Sequence, residues 1–374
     1  MNFDFSLPTR IIFGRGRISE LGSHCRSYGN KALIISGCTS ARNAGTLNKL
    51  TKSLEAQAID FILSDNISPD PASDEIDIAI DMGRKHHSDF VIGVGGGSAL
   101  DAAKAVAVGV NDEYDTIRNL IGKTLPPSNK SLPIIAVPTT AGTGSEVSKG
   151  AIIIDTVRQF KSGIRGDDLF PKVAIIDPEL TSSMPIKVAR ETGFDALTHA
   201  IETCVARRSS SVSEPFSNRA LHILSRNLPL LISEKRTALM EDELCVAALL
   251  GGINVANCGT CIPHRLQQAI GSLPHVHASH GQGLAILYPS WLSLAYPFAQ
   301  DKFNHIAEIF HGSNIISIID ELCSDLKIKA RLRDFGVTQN DIPEILKNVS
   351  GAVENDPIDD INTKMLRSIL ESSF

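Results

Sequence analysis

A short apolar run, Asp89-Phe90-Val91-Ile92-Gly93-Val94, opens directly into Gly95-Gly96-Gly97-Ser98 and then into Ala99-Leu100-Asp101-Ala102-Ala103-Lys104-Ala105-Val106-Ala107. The run suits a strand buried on both faces of a parallel sheet, and the alanine-rich stretch is a strong helix former. Strand, glycine turn and helix start together make an anion cradle. Glycine lets the backbone approach closely, and the unbonded N–H groups and the helix dipole face a negative ligand. Ser98 stands where an N-cap or a phosphate-binding hydroxyl is expected. The turn is neither G-x-G-x-x-G nor a P-loop with its Lys-Ser/Thr ending, so a ligand-free turn is the competing reading.

A second loop of this kind follows Ile134-Ile135-Ala136-Val137-Pro138, where Thr139, Thr140, Thr143 and Ser145 stand among glycines. Open α/β sheets bind ligands at the carboxyl ends of their strands, so two such loops reinforce each other. Up to about residue 180, β-type runs at 32–36, 58–63, 90–94, 134–137, 151–155 and 173–176 alternate with helical patterns. That alternation predicts a parallel βαβ sheet. After Pro178 helical segments dominate, for example 185–205, 214–232 and 240–256, and 355–374 ends in a helical pattern. The expected organisation is an α/β nucleotide-binding domain over 1–180 and an all-α domain over 181–374.

Asp195 and His199 lie four residues apart in a helical stretch and project from one face. A carboxylate and an imidazole so placed can grip a divalent cation. His264 and His280 follow in a segment rich in Gly, His and Pro. Three imidazoles and one hard oxygen suit Fe(II) or Zn(II), although the same helical pair also occurs as a plain surface contact.

Taken together, Gly95-Gly96-Gly97-Ser98 with Asp101 and Lys104, Pro138-Thr139-Thr140-Ala141-Gly142-Thr143-Gly144-Ser145-Glu146, Asp177-Pro178-Glu179-Leu180, Met184-Pro185 and Gly193-Phe194-Asp195-Ala196-Leu197-Thr198-His199-Ala200-Ile201-Glu202 resemble the iron-containing (group III) alcohol dehydrogenases of the dehydroquinate synthase-like superfamily. Ile11-Ile12-Phe13-Gly14-Arg15-Gly16 fits too, and the likeness spans roughly residues 5 to 290. The resemblance implies a nucleotide-binding α/β domain, a helical metal-binding domain, and a metal and nicotinamide meeting in the cleft between them. It places metal ligands at Asp195, His199, His264 and His280. The segment before His280 is longer than the family pattern, so His275 and His277 compete with it. It also implies dinucleotide contacts at Gly95, Gly96, Gly97, Ser98, Asp101, Thr139, Thr140, Thr143, Ser145 and Lys161, and a homodimer or higher homo-oligomer.

Two departures from the family pattern bear on mechanism and cofactor. Many relatives carry a further histidine four residues after the third ligand; here it is Gln268, which hydrogen-bonds but does not titrate. Proton relay then falls to His275, His277, a water or a ribose hydroxyl, with Gln268 and His280 beside the substrate. NAD-preferring relatives often have an aspartate at the position of Gly37; glycine leaves room for a 2′-phosphate, and Thr39, Ser40 and Arg42 follow with hydroxyls and a cation. The expected cofactor is NADP(H) in preference to NAD(H).

Net charge of −6 gives no basic footprint for nucleic acid. No apolar run has the length of a membrane span, and Met1-Asn2-Phe3-Asp4-Phe5 lacks a basic start and an apolar signal core. Seven cysteines suit reduced cytoplasmic thiols, and Cys258-Gly259-Thr260-Cys261 reads as small buried residues more readily than as a redox or zinc motif. The resulting expectation is a metal-dependent NAD(P)(H) alcohol dehydrogenase or aldehyde reductase acting on a small or polar substrate. Two alternatives stand beside it: a dehydroquinate synthase-like lyase or cyclase on a sugar phosphate, with Arg265 and Lys149 as its basic candidates, and a non-catalytic dinucleotide-binding protein.

Overall fold

The computed structural model describes residues 2–38, 42, 44–111, 115–126, 130–233 and 236–374. The chain divides into two compact units, Leu7–Met184 and Pro185–Phe374 together with Met1–Ser6. The opening residues thus group with the second unit, whereas the sequence pattern assigned them to the first. Phe5 stacks on Phe216, and Ser6 exchanges hydrogen bonds with the side chain of Asn257.

In the first unit the elements run β1 (Arg10–Phe13), α1 (Leu21–Cys25), β2 (Lys31–Gly37), α2 (Thr46–Glu55), β3 (Asp60–Ile67), α3 (Ser73–His86), β4 (Phe90–Gly95), α4 (Gly97–Asn111), β5 (Ile134–Pro138), β6 (Gly150–Asp155), β7 (Phe160–Arg165) and β8 (Val173–Ile176). Six strands form one sheet in the order β1-β8-β5-β4-β2-β3, and each neighbouring pair is parallel. Side chains alternate across a strand, so both sheet faces must be covered. Leu33, Ile35 and Val91 pack on one face with Ile76, Ala79 and the alanines of α4. Ala32, Ile34, Ile92 and Val94 pack on the other with Leu50 and Leu54 of α2.

The run at 151–155 belongs elsewhere than the sequence pattern suggested. As β6 it pairs antiparallel with β7 in a separate two-stranded sheet. Only residues 156–159 lie between the two strands, too few for a crossover helix, and Gln159 turns the chain in the left-handed region (φ +51°). Two strands went unread in the sequence. β1 has only four residues, and β7, Phe-Lys-Ser-Gly-Ile-Arg, has no apolar alternation.

The second unit contains α5 (Ile186–Val205), α6 (Glu214–Ile232), α7 (Ala238–Cys258), α8 (Ile262–Ile270), α9 (His280–Ala295), α10 (Gln300–Ile309), α11 (Ile315–Asp325), α12 (Ile342–Asn348) and α13 (Thr363–Ser372). Helix α5 is buried continuously from Gly193 to Val205. A helix buried all round must place its polar side chains inside, and α5 buries Asp195, His199 and Glu202. Among the described residues, no single helix is long and apolar enough to cross a membrane.

Candidate functional site

Helix periodicity puts Asp195, His199 and Glu202 on one face of α5, at spacings of four and three residues. Helix α8 brings His264, and the first residue of α9 is His280. The four groups converge. Asp195 Oδ1 lies 3.7 Å from His199 Nε2, 3.7 Å from His264 Nε2 and 3.4 Å from His280 Nε2. The His199 and His264 rings stack with centroids 4.7 Å apart. Asp195, His199 and His264 are buried and their ligand atoms lie within 4.8 Å of one another.

Hydrogen bonding fixes which ring nitrogens face inward. His264 Nδ1 lies 2.8 and 2.9 Å from the two Glu202 oxygens. His280 Nδ1 lies 2.7 Å from Gln267 Oε1. A carboxylate or amide oxygen only accepts, so each Nδ1 carries the proton and each Nε2 is turned toward Asp195. Neither Glu202 nor Gln267 was assigned a role from sequence. The signal was present: Glu202 stands seven residues after Asp195, and Gln267 three after His264, on the same helical faces.

Among the described residues, both Asp195 oxygens, His264 Nε2 and His199 Nδ1 are buried without a hydrogen-bond partner. Such polar groups are costly to bury, and a divalent cation between the Asp195 oxygens and His264 Nε2 would satisfy those at once. The donor set of one carboxylate oxygen and imidazole nitrogens fits Fe(II) or Zn(II). Burial works against the Asp195 charge, yet His199, His280 and His264 hold the carboxyl well below its usual range. Burial lowers His199 to about 4, leaving it neutral. At His264 burial also disfavours the charge, but Glu202 and Asp195 outweigh it and hold the value near 9. A binding cation would displace that proton.

His275 and His277 are the competing histidines. His275 is exposed with Nε2 3.3 Å from Asp341 Oδ2, and His277 is exposed. Gln268, one turn beyond His264, is buried with Oε1 lacking a hydrogen-bond partner among the described residues.

In the other unit, β4 ends at Gly95 and α4 begins at Gly97, with the Thr139–Thr143 loop alongside. Thr139 N–H donates to Gly95 O at 2.8 Å. A Cβ at Gly97 would sit 2.6 Å from Thr143 Cγ2, so only glycine fits beside that threonine. Gly96, Gly97, Thr139, Thr140 and Thr143 are half-buried.

Several side chains expected to contact the dinucleotide also have partners within the fold. Asp101 accepts from Ser145 Oγ at 2.5 Å and from Ile152 N–H at 2.8 Å. Fully buried Lys104 donates to Ser145 Oγ, Ser148 Oγ and Gly150 O, bracing the threonine loop against α4. Ser98 is not an N-cap: it lies inside α4, and its Oγ accepts Asp70 N–H at 3.1 Å. Lys161 is buried, its Nζ 2.7 Å from Asp70 Oδ1, so it is no surface lysine. At the end of β2, a Cβ at Gly37 would meet, among the described residues, Ile67 O at 3.5 Å. Arg42 pairs with Asp65, while Thr39 and Ser40 lie outside the described residues. The basic candidates for sugar-phosphate chemistry are also engaged: Arg265 donates to Thr260 Oγ1, and Lys149 pairs with Asp167. Cys258 and Cys261 are buried thiols, both pushed up chiefly by burial.

A family model described as iron-containing alcohol dehydrogenase matches residues 8–178, and the C-terminal model of the same family matches residues 189–374. The chain belongs to the iron-containing alcohol dehydrogenase family. It is 30% identical over 356 residues to the 1,3-propanediol dehydrogenase of Citrobacter freundii, covering 91% of this chain and 90% of that one. It is 26% identical to the NAD-dependent methanol dehydrogenase of Bacillus methanolicus, with 92% of each covered. The solved structure of a 1,3-propanediol oxidoreductase superposes with a TM-score of 0.92 at 27% identity, covering 100% of both chains. As an iron-containing alcohol dehydrogenase the chain is an oxidoreductase, and its relatives are NAD(P)-dependent alcohol dehydrogenases and aldehyde reductases. The sugar-phosphate lyase reading is not favoured by these relationships.

Proposed function

We propose that this chain interconverts a small or polar alcohol and its aldehyde or ketone, using NADP(H) in preference to NAD(H) and an Fe(II) or Zn(II) ion held by Asp195, His199, His264 and His280. The observation that carries the reading is the convergence of three imidazole Nε2 atoms to within 3.4–3.7 Å of one buried Asp195 oxygen. In the reaction, alcohol and NAD(P)+ give carbonyl, NAD(P)H and a proton.

When bound, the cation supplies Lewis acidity toward the alcohol or carbonyl oxygen, and the nicotinamide supplies or accepts the hydride. The protein's own residues do the rest. Glu202 and Gln267 hold the protons on His264 Nδ1 and His280 Nδ1, keeping both rings aimed. Gln268 presents its unsatisfied amide oxygen to a substrate hydroxyl and does not relay the proton. Proton relay goes instead through His275 or His277, both exposed, a water or a cofactor ribose hydroxyl. Backbone N–H groups of Gly95, Gly96 and Gly97, with Thr139, Thr140 and Thr143, would hold the dinucleotide phosphates and ribose. Lys161, held by its pair with Asp70, would also contact the cofactor. Gly37, with Thr39 and Ser40 after it, supports the NADP(H) preference, since no carboxylate opposes a 2′-phosphate there. The cytoplasm and a homodimer or higher homo-oligomer complete the proposal.

The test is oxidation of NADPH and NADH by anaerobically purified protein against small aldehydes and ketones, with added Fe(II) or Zn(II) and with chelator. Chelator-sensitive turnover, faster with NADPH, is the expected result. Turnover unaffected by chelation contradicts the metal role, and faster turnover with NADH contradicts the cofactor preference.

A further inference from the structure

The segment around Asn355 and Asp356 lies far along the chain from every residue of the candidate site, and carries no motif. Both side chains are buried, at 2% and 0% exposure. Each is spent on the turn that leads into α8, the helix carrying His264. Asn355 Nδ2 donates to Cys258 O at 2.8 Å and to Thr260 O at 3.2 Å. Between those carbonyls Gly259 sits in the left-handed region (φ +72°), where an added Cβ would approach Asn355 Nδ2 to 3.3 Å.

Asp356 takes the other side of the same turn. Its Oδ2 accepts Ile262 N–H at 2.9 Å, at the first residue of α8. The same oxygen accepts Trp291 Nε1 at 2.9 Å, from α9, the helix that opens with His280. Its Oδ1 accepts Ile358 N–H at 3.1 Å. One carboxylate oxygen therefore ties together the two helices that deliver His264 and His280. Glu202 supplies the matching bond one residue earlier, accepting Cys261 N–H at 2.6 Å. The first N–H groups of α8 thus end on two buried carboxylates, which also complement the positive end of the helix.

We propose that Asp356, held in place with Asn355, is a positioning residue for the metal centre. It sets the start of α8 and its offset from α9, and through them the separation of His264 from His280. Its own carboxylate touches neither ligand. This rests on the metal reading of Asp195, His199, His264 and His280.

The chemistry of the site dictates the variant. Asp356 accepts from three donors, whereas an asparagine has one acceptor oxygen and two N–H donors. In Asp356→Asn some donor must face another donor, at almost unchanged volume. Asn355→Ala removes the two bonds to the turn carbonyls without touching the carboxylate. The probe is Co(II), added to metal-stripped full-length protein and followed by its visible absorption, with dinucleotide titration and thermal melting alongside.

Wild type should bind Co(II) with a defined visible spectrum. Asp356→Asn should raise the Co(II) Kd about 10- to 100-fold, as loss of outer partners commonly does, and should shift the band positions. Asn355→Ala should move both in the same direction, and dinucleotide affinity should stay within about twofold in each variant. Variants that melt at lower temperature yet keep the wild-type spectrum and Co(II) affinity overturn the inference, because the residues would then be structural only. Should wild type itself bind no Co(II), the metal reading falls and the inference falls with it.

Discussion

His264 Nδ1 donates to both oxygens of Glu202, at 2.8 and 2.9 Å, while the same carboxylate accepts Cys261 N–H at 2.6 Å. One buried side chain thus orients the His264 ring and anchors the helix that carries it. In Glu202→Gln one of the two accepting oxygens becomes a donor. Metal affinity should fall about 10- to 100-fold with little change in fold, measured by metal titration and circular dichroism. Unchanged affinity would mean that the His264 ring is aimed by packing alone.

Gly97 abuts Thr143 so closely that a Cβ at residue 97 would lie 2.6 Å from Thr143 Cγ2. Gly97→Ala must push the threonine out of the turn. Dinucleotide affinity should drop about tenfold, near 1.4 kcal/mol, while metal affinity stays as in wild type. A fluorescence titration with NADPH checks it, and equal affinities would remove the turn from the binding surface.

Gly37 ends β2, and among the described residues an added Cβ would make only an ordinary contact with Ile67 O at 3.5 Å, so Gly37→Asp should fold normally. A carboxylate there repels a 2′-phosphate and can accept from a 2′-hydroxyl. The ratio of kcat/KM with NADPH to that with NADH should fall about tenfold or more, equivalent to about 1.4 kcal/mol. An unaltered ratio would place the adenosine ribose elsewhere.

Glu146 is buried, and burial pushes its carboxyl from 4.5 up to about 7 despite the nearby Lys104 ammonium. The folded value lies above the unfolded one, so the folded state holds this proton more tightly. The cost of the buried charge is absent below about 4.5, grows between the two values and is complete above about 7. Relative to Glu146→Gln, wild type should lose melting temperature as pH rises through that window and run parallel above it. Parallel curves throughout would show that the carboxylate is stabilised where it sits.

The sheet and the shared face of Asp195 and His199 were legible for local reasons. Apolar runs such as Phe90–Gly95 announce buried parallel strands, and the four-residue spacing of Asp195 and His199 fixes a shared helical face. What escaped was tertiary. The β6 strand looks like any other apolar run until its short link to β7 is seen to permit only a hairpin. The bonds of Asp101 to Ile152 and of Ser145 to Lys104 are set by folding, not by spacing. Glu202 lies inside a recognised motif, yet its bond to His264 spans 62 positions. The approach of His280 Nε2 to Asp195 Oδ1 likewise spans distant parts of the chain.

The most direct measurement is calorimetric titration of Fe(II) under anaerobic conditions, or of Zn(II), into metal-stripped wild type and His264→Ala, with dinucleotide titrated in parallel. Removing this imidazole deletes an Nε2 that faces Asp195 Oδ1 at 3.7 Å. Wild type should bind one metal ion per chain, and His264→Ala should bind it at least about 100-fold more weakly and lose turnover, with dinucleotide affinity kept within a few-fold. Metal binding and turnover equal to wild type in His264→Ala would contradict the assignment of this cluster as the metal centre.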